Sequence, residues 1–335
     1  VDQRVLFGVC LPLFANPGVF TFRTPCYETL DPRDSLTVAR LAEDLGYDSV
    51  WVADHLMLGR DGAILEGWTT LAVVAGQTRR VRLGTIHLCN GFRSPALVAK
   101  MAATLDALSG GRLIFFFDAG WRREEFVAYG YSWEDDAVRL ARLREALEVV
   151  RRLWTGGPVS YAGQYYRLDQ AVCRPQPVQR PYPPIWLGEA RHPLLLEAIA
   201  RYADGWNSVP ASPRLYAEKL AAVRAACARL GRDPATLELS LETQVLVGAD
   251  RGEVRRVMER IAALAERYGQ PAPEPLGAES PWLVGTPDEV VDQLRAYTAL
   301  GVRHVLLWFM DFPETAGLRL FAERVLPAFR SPVAL

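Results

Sequence analysis

The tripeptide Ala53-Asp54-His55 sets an imidazole directly after a carboxylate, and a second imidazole, His87, closes the apolar run "VRLGTI" of residues 81–86. An imidazole titrates at about pH 6.5 when unperturbed, so it can take up and return a proton within one catalytic cycle. The chain has four histidines, and these two both stand where an apolar run gives way to polar residues. The His87 end continues to Asn90, and other such ends carry Asp118-Ala119-Gly120-Trp121, Gly188-Glu189, Trp206-Asn207, and Trp308 with Asp311. Acid–base groups, glycines that expose backbone and broad aromatic rings together describe a site for a flat ligand, with Trp121 and Trp206 as aromatic walls. Other chemistries lack their residues. There is no His-x-His on the first strand, no Gly-x-Ser-x-Gly elbow and no P-loop. The five cysteines, at 10, 26, 89, 173 and 227, are not spaced as metal ligands, so no residue is assigned to a metal. A Schiff-base aldolase needs a strand-end lysine, and the only two, Lys100 and Lys219, fall in predicted helices.

These residues must be positioned by an α/β framework. Strand-like runs at 5–11, 48–53, 81–89, 112–120, 184–190, 204–209, 237–249 and 303–310 alternate with helix-like stretches near 33–46, 67–77, 95–108, 136–154, 192–202, 212–230, 251–267, 287–300 and 314–328. The strands are near-continuous apolar runs, as in parallel sheets covered on both faces. A doubly wound open sheet calls for a glycine-rich fingerprint after its first strand, and "GVCLPLFANPG" has none. Eight β/α units predict an eight-stranded parallel β/α (TIM) barrel, one domain over 1–335 with insertions near 156–183 and 269–283, the first containing a short hairpin. In such barrels function collects at the C-terminal strand ends, where the polar residues above gather. A net charge of -1 gives no reason to expect nucleic acid or an anionic membrane as partner. No apolar run approaches the roughly 20 residues of a membrane span. The N-terminus reads as a first strand, and the cysteines as reduced thiols of a cytoplasmic protein.

Several ordered motifs resemble the bacterial luciferase-like superfamily: "RVRLGTIHLCNGFRSPALVAKMAATLDALSGGRL" (80–113), "DAGWRREEFVAYG" (118–130), "GQYYRLDQAVCRPQPVQRPYPPIWLGEA" (163–190), "ADGWN" (203–207) and "GTPDEVVDQLRAYTALGVRHVLLWF" (285–309). The resemblance implies the same barrel and a reduced flavin, or its deazaflavin analogue coenzyme F420, across the mouth. It implies a non-prolyl cis peptide in Thr85-Ile86-His87, at the Ile86–His87 bond, with His87 and Asn90 facing the ligand. "ADHL" resembles the Ser-Asp-His of deazaflavin-dependent dehydrogenases, which makes His55 the proton acceptor or donor and Asp54 its orienter or a partner of the ring edge. The cofactor phosphate is implied at the backbone N–H groups of Gly120-Trp121 and Gly188-Glu189-Ala190, with Arg191 adding a charge-assisted contact and the Glu189 side chain turned away. The chain departs from the pattern twice. Trp121 stands where those dehydrogenases carry an acidic glutamate, with Glu124 and Glu125 one turn further on. Arg122 stands where FMN-dependent monooxygenases carry asparagine. The expected reaction is hydride transfer between coenzyme F420 and a small organic substrate. A two-component monooxygenase using reduced FMN, oxygen and a separate flavin reductase is the alternative, and a non-catalytic flavin-binding protein the third. The family also implies a homodimer.

Overall fold

An apolar run of five or six residues can be buried on both faces only in a sheet with helices outside and side chains inside. "SVWVA" and "HVLLWF" have every residue buried. The computed structural model describes residues 4–271, 277 and 279–330. Its strands are β1 (Leu6–Cys10), β2 (Ser49–Ala53), β3 (Arg82–Ile86), β4 (Leu88–Cys89), β5 (Leu113–Asp118), β6 (Val159–Ala162), β7 (Arg167–Ala171), β8 (Ile185–Gly188), β9 (Gly205–Ser208), β10 (Glu238–Val247), β11 (Leu283–Gly285) and β12 (His304–Phe309). Its α-helices are α1 (Pro32–Asp44), α2 (Gly67–Gln77), α3 (Pro95–Ser109), α4 (Arg123–Ala128), α5 (Asp136–Leu153), α6 (Pro193–Tyr202), α7 (Pro213–Arg229), α8 (Arg251–Arg267), α9 (Pro287–Ala299) and α10 (Ala316–Arg324). Helix starts follow local chemistry. Asp31, Asp135, Ser212 and Asp250 accept from first-turn N–H groups, and Thr286 with Glu289 forms a capping box.

Parallel pairing runs β1–β2–β3–β5–β8–β9–β10–β12 and returns from β12 to β1, so eight strands close on themselves. This is the expected β/α barrel. The third strand, expected as one piece over 81–89, is divided: the Ile86–His87 peptide is cis, at the anticipated bond, and β4 then pairs with β5 through Leu88↔Phe117 and Cys89↔Asp118. The first insertion contains the expected hairpin, β6 paired antiparallel with β7. Of the second, residues 272–276 and 278 lie outside the described residues, and Leu283–Gly285 adds a short strand outside the barrel, paired parallel with Val245, Leu246 and Val247 at the end of β10. Helix α4 lacks bounds in the sequence reading, because "REEFVA" is too short to show a helical period, but it starts just after Gly120-Trp121 with Glu124 and Glu125 in its first turn.

The barrel interior is filled in layers. Trp51 and Trp186 lie with ring centroids 5.3 Å apart near its N-terminal end. Three glycines make room for them: a Cβ on Gly8, Gly84 or Gly205 would come within 2.4 Å, 2.2 Å and 2.3 Å of an indole atom. At the same end His304 Nε2 is 2.7 Å from Ser49 Oγ, which also accepts from Trp51 Nε1 at 2.8 Å, and His304 Nδ1 is 3.1 Å from Glu238. The lower end is therefore a dense plug of rings and paired polar groups, with Trp186 Nε1 alone of the two indole N–H groups lacking a partner among the described residues, which leaves the C-terminal end for ligands.

Candidate active site

His55 follows the last residues of β2. Its Nδ1 lies 2.8 Å from Glu125 Oε1, and Glu125 Oε2 accepts from the N–H groups of Leu56 at 2.9 Å and Met57 at 3.3 Å. Glu125 is buried in the first turn of α4. Burial pushes its carboxyl up, but the hydrogen bond and charge of His55 and the two backbone N–H groups outweigh that and hold it below the usual range. With Nδ1 occupied, Nε2 is the atom of His55 left for proton transfer. Trp121, half-exposed, meets the His55 ring edge-on at 5.5 Å.

Asp54 does not orient His55. Its carboxylate is held bidentately by Arg93, with both contacts at 2.8 Å, and accepts from the Cys89 N–H at 2.8 Å. Burial opposes the Arg93 charge, but Asp54 and Glu66 together raise its pKa. Asp54 thus ties the end of β2 to β4, and the partner expected of it is supplied by Glu125 across the mouth.

His87 lies over Phe116, with ring centroids 4.2 Å apart, and its Nδ1 is 3.3 Å from Asp118 Oδ2. On its other side Nε2 is 3.9 Å from Glu242 Oε2, beyond hydrogen-bond reach. Glu242, on β10, is wholly buried; its Oε1 accepts from Trp308 Nε1–H at 2.7 Å and is 2.5 Å from Arg23 Nη1. Arg23 arrives from the segment between β1 and α1. Its backbone N–H donates to Gln244 Oε1 at 3.0 Å, Gln244 Nε2 donates to Phe20 O at 2.8 Å, and the guanidinium rests against Phe22 and Trp308. Arg23 and Glu242 are absent from the expected site, and Glu125 had no assigned role. One signal was available for Glu242: Glu238, Ser240, Glu242 and Gln244 recur at every second residue, the period of one strand face.

The remaining expected residues divide. Thr85 donates to Phe116 O at 3.2 Å, Ile86 is buried, and Asn90 Nδ2 donates to Tyr166 OH at 3.0 Å. Gly120 has φ +81°, and its carbonyl accepts from Arg139 at 2.7 Å. Trp206 does not line the mouth: it packs against Tyr216 of α7 and donates to Glu189 O at 2.9 Å. The Glu189 carboxylate lies 2.8 Å from Lys219 Nζ and 3.0 Å from Arg191 Nε, so the Arg191 charge is matched within the protein. Ala190 is buried beside this pair, and the following helix starts only at Pro193, with His192 accepting from Leu194 N–H. Lys219, although on a helix, brings its amine to the ends of β8 and β9, where it also reaches Ser208 Oγ at 3.3 Å. Among the described residues no cluster of three or more His, Cys, Asp or Glu side chains is arranged to hold a metal ion.

Comparison with known proteins places this geometry. The sequence pattern of the family described as luciferase-like monooxygenase matches residues 16–304. The chain belongs to that family. Among its relatives is an F420-dependent glucose-6-phosphate dehydrogenase of Nakamurella multipartita, 32% identical over 326 residues, covering 91% of this chain and 95% of the relative. A phthiodiolone/phenolphthiodiolone dimycocerosates ketoreductase of Mycobacterium tuberculosis is 30% identical over 340 residues, covering 83% and 87%. Among solved structures, monooxygenase RslO1 from Streptomyces bottropensis superposes with a TM-score of 0.78 at 29% identity, covering 97% of this chain and all of that one (100%). This luciferase-like chain thus shares its barrel with a protein named a monooxygenase and 32% of its aligned residues with one named F420-dependent. One observation fits a ring with a polar edge: His87 Nε2, at the mouth, is a buried polar atom with no partner among the described residues.

Proposed function

We propose that this chain is an oxidoreductase that transfers a hydride between coenzyme F420 and a small organic substrate. The observation that carries the reading is the His55–Glu125 pair: an imidazole at the barrel mouth, fixed through Nδ1 by a buried carboxylate, with Nε2 left to exchange a proton. F420-dependent relatives that align over nine-tenths of the chain support the choice of cofactor. The cofactor, when bound, supplies the hydride acceptor or donor. His87, Asn90 and the backbone at Gly120 and Gly188 would hold it, and Trp121 would shield one side of His55 from water. His55 then takes the proton that leaves the substrate oxygen, or returns it in the opposite direction, and Glu125 stabilises the imidazolium formed on the way.

The similarity to a protein named a monooxygenase favours one second reading, reduced FMN with oxygen and a separate reductase. Absorbance titration with F420 and with FMN, followed by turnover without oxygen, separates the two. F420 should bind the more tightly and product should form anaerobically; preference for FMN with product only in air would overturn the proposal. We also infer a homodimer, supported by the exposed Val73 and Leu97 on the early helices α2 and α3, and a cytoplasmic location, supported by five buried, unpaired cysteines.

A further inference from the structure

The geometry points to a second ligand site, for a flat aromatic carboxylate, on the face of the barrel opposite the mouth. In a β/α barrel the helix ends and the strand starts share that N-terminal face. Helices α5 and α6 end there, at Leu153 and Tyr202, and the chain approaches β8 there through Pro181 and Tyr182. Between these ends lies a cavity of about 700 Å³, within the ordinary size of a small-molecule pocket. The site stands apart from the hydride-transfer reading and does not depend on it.

Charge and shape select the chemistry. The lining carries three arginines, Arg151, Arg152 and Arg180, against one carboxylate, Glu148. That carboxylate is occupied, accepting from Tyr202 OH at 3.0 Å and Tyr161 OH at 3.3 Å. The Arg151 guanidinium lies 5.4 Å from the Tyr182 ring centre and 5.6 Å from that of Tyr202, and Arg152 lies 4.9 Å from that of Tyr161. A guanidinium laid on rings keeps the N–H donors of its edge, and neither of these two makes an ion pair or a side-chain hydrogen bond among the described residues. The end of α5 does not use them: Arg152 O accepts from Thr155 Oγ1 at 2.7 Å and Leu153 O from Gln176 Nε2 at 2.9 Å. Their donors therefore face an acceptor that the chain itself does not supply, and a carboxylate matches such an edge. The walls add the second requirement. Trp154 and Tyr182 lie 5.9 Å apart with planes inclined by 31°, so the cavity offers broad faces to a ring. A neutral ring leaves the guanidinium edges unmatched, and an aliphatic acid forgoes the walls.

The test is calorimetric titration of the purified full chain with 1-naphthoate, 1-naphthalenemethanol and cyclohexanecarboxylate. These present a ring with a charge, the same ring without it, and the charge without an aromatic ring. 1-Naphthoate should bind about tenfold more tightly than either of the others. The double variant Arg151→Gln, Arg152→Gln should abolish its advantage over 1-naphthalenemethanol. An unchanged preference in that folded variant, or no preference in the native protein, would overturn the site. Should the double variant fail to fold, Thr155→Phe places a ring in the cavity from an exposed position. Weaker binding of 1-naphthoate then supports the assignment, and unchanged binding refutes it. Displacement of 1-naphthoate by F420 would put the probe at the mouth and refute it likewise.

Discussion

Glu125 reaches His55 across 70 residues of sequence, and the acid–base unit proposed above depends on that one contact. Replacing it by glutamine preserves an oxygen for the Leu56 and Met57 N–H groups but removes the charge that balances an imidazolium. Glu125→Gln should therefore lower kcat about 10²-fold while KM stays within about twofold. Equal losses in kcat and in the folded fraction, read by thermal melting alongside kinetics, would make the residue merely structural. The individual residues were unevenly legible in the sequence. His55 and His87 stood out because a histidine closing an apolar run is conspicuous. Of the roles expected of Asp54, orienting His55 is the one not seen, because successive residues at a strand end point in different directions and adjacency in sequence is not adjacency in space. Arg23 gave no signal at all: it lies in an irregular segment at φ +72°, and its role comes from a fold that returns it to β10.

Whole elements were easier to read. Helix α2 matches its expected bounds, and α3, α5, α7 and α8 match to within a residue or so, because their starts carry caps or prolines that act locally. Strand β10 shows the opposite. Read as another apolar run, it carries an inward stripe of Glu238, Ser240, Glu242 and Gln244, whose polarity is tolerable only because the barrel supplies a partner to nearly every group. The junction of β12 with α10 also contains a buried carboxylate. Burial raises the Asp311 pKa from 3.8 to about 6, against the opposing pull of the Gly317 N–H. The folded state therefore binds that proton more tightly than the unfolded chain. The contribution is fully present below about pH 4 and is lost as the pH rises to 6, a loss on the order of 3 kcal/mol. Asp311→Asn keeps an acceptor for Gly317 and carries no charge. Urea denaturation should show it about as stable as the native protein at pH 4 and more stable at pH 8; equal stability at both would place the titration elsewhere.

At the scale of the molecule the β/α barrel follows from counting, because eight β/α units without a nucleotide fingerprint leave few alternatives. What counting could not supply is how the interior is filled. Gly8, Gly84 and Gly205 are unremarkable in sequence, yet each concedes volume to Trp51 or Trp186 from a different strand. Gly205→Ala places a methyl carbon 2.3 Å from Trp186 Nε1, so one of the largest fully buried rings must shift. We expect a loss of about 1–3 kcal/mol, seen as a lower Tm with the fold retained. An unchanged Tm would mean that the rings have slack to yield.

That stopper of paired indoles also governs traffic. A cylinder corked at its foot has one doorway, so everything that visits the imidazoles enters and departs by the same rim.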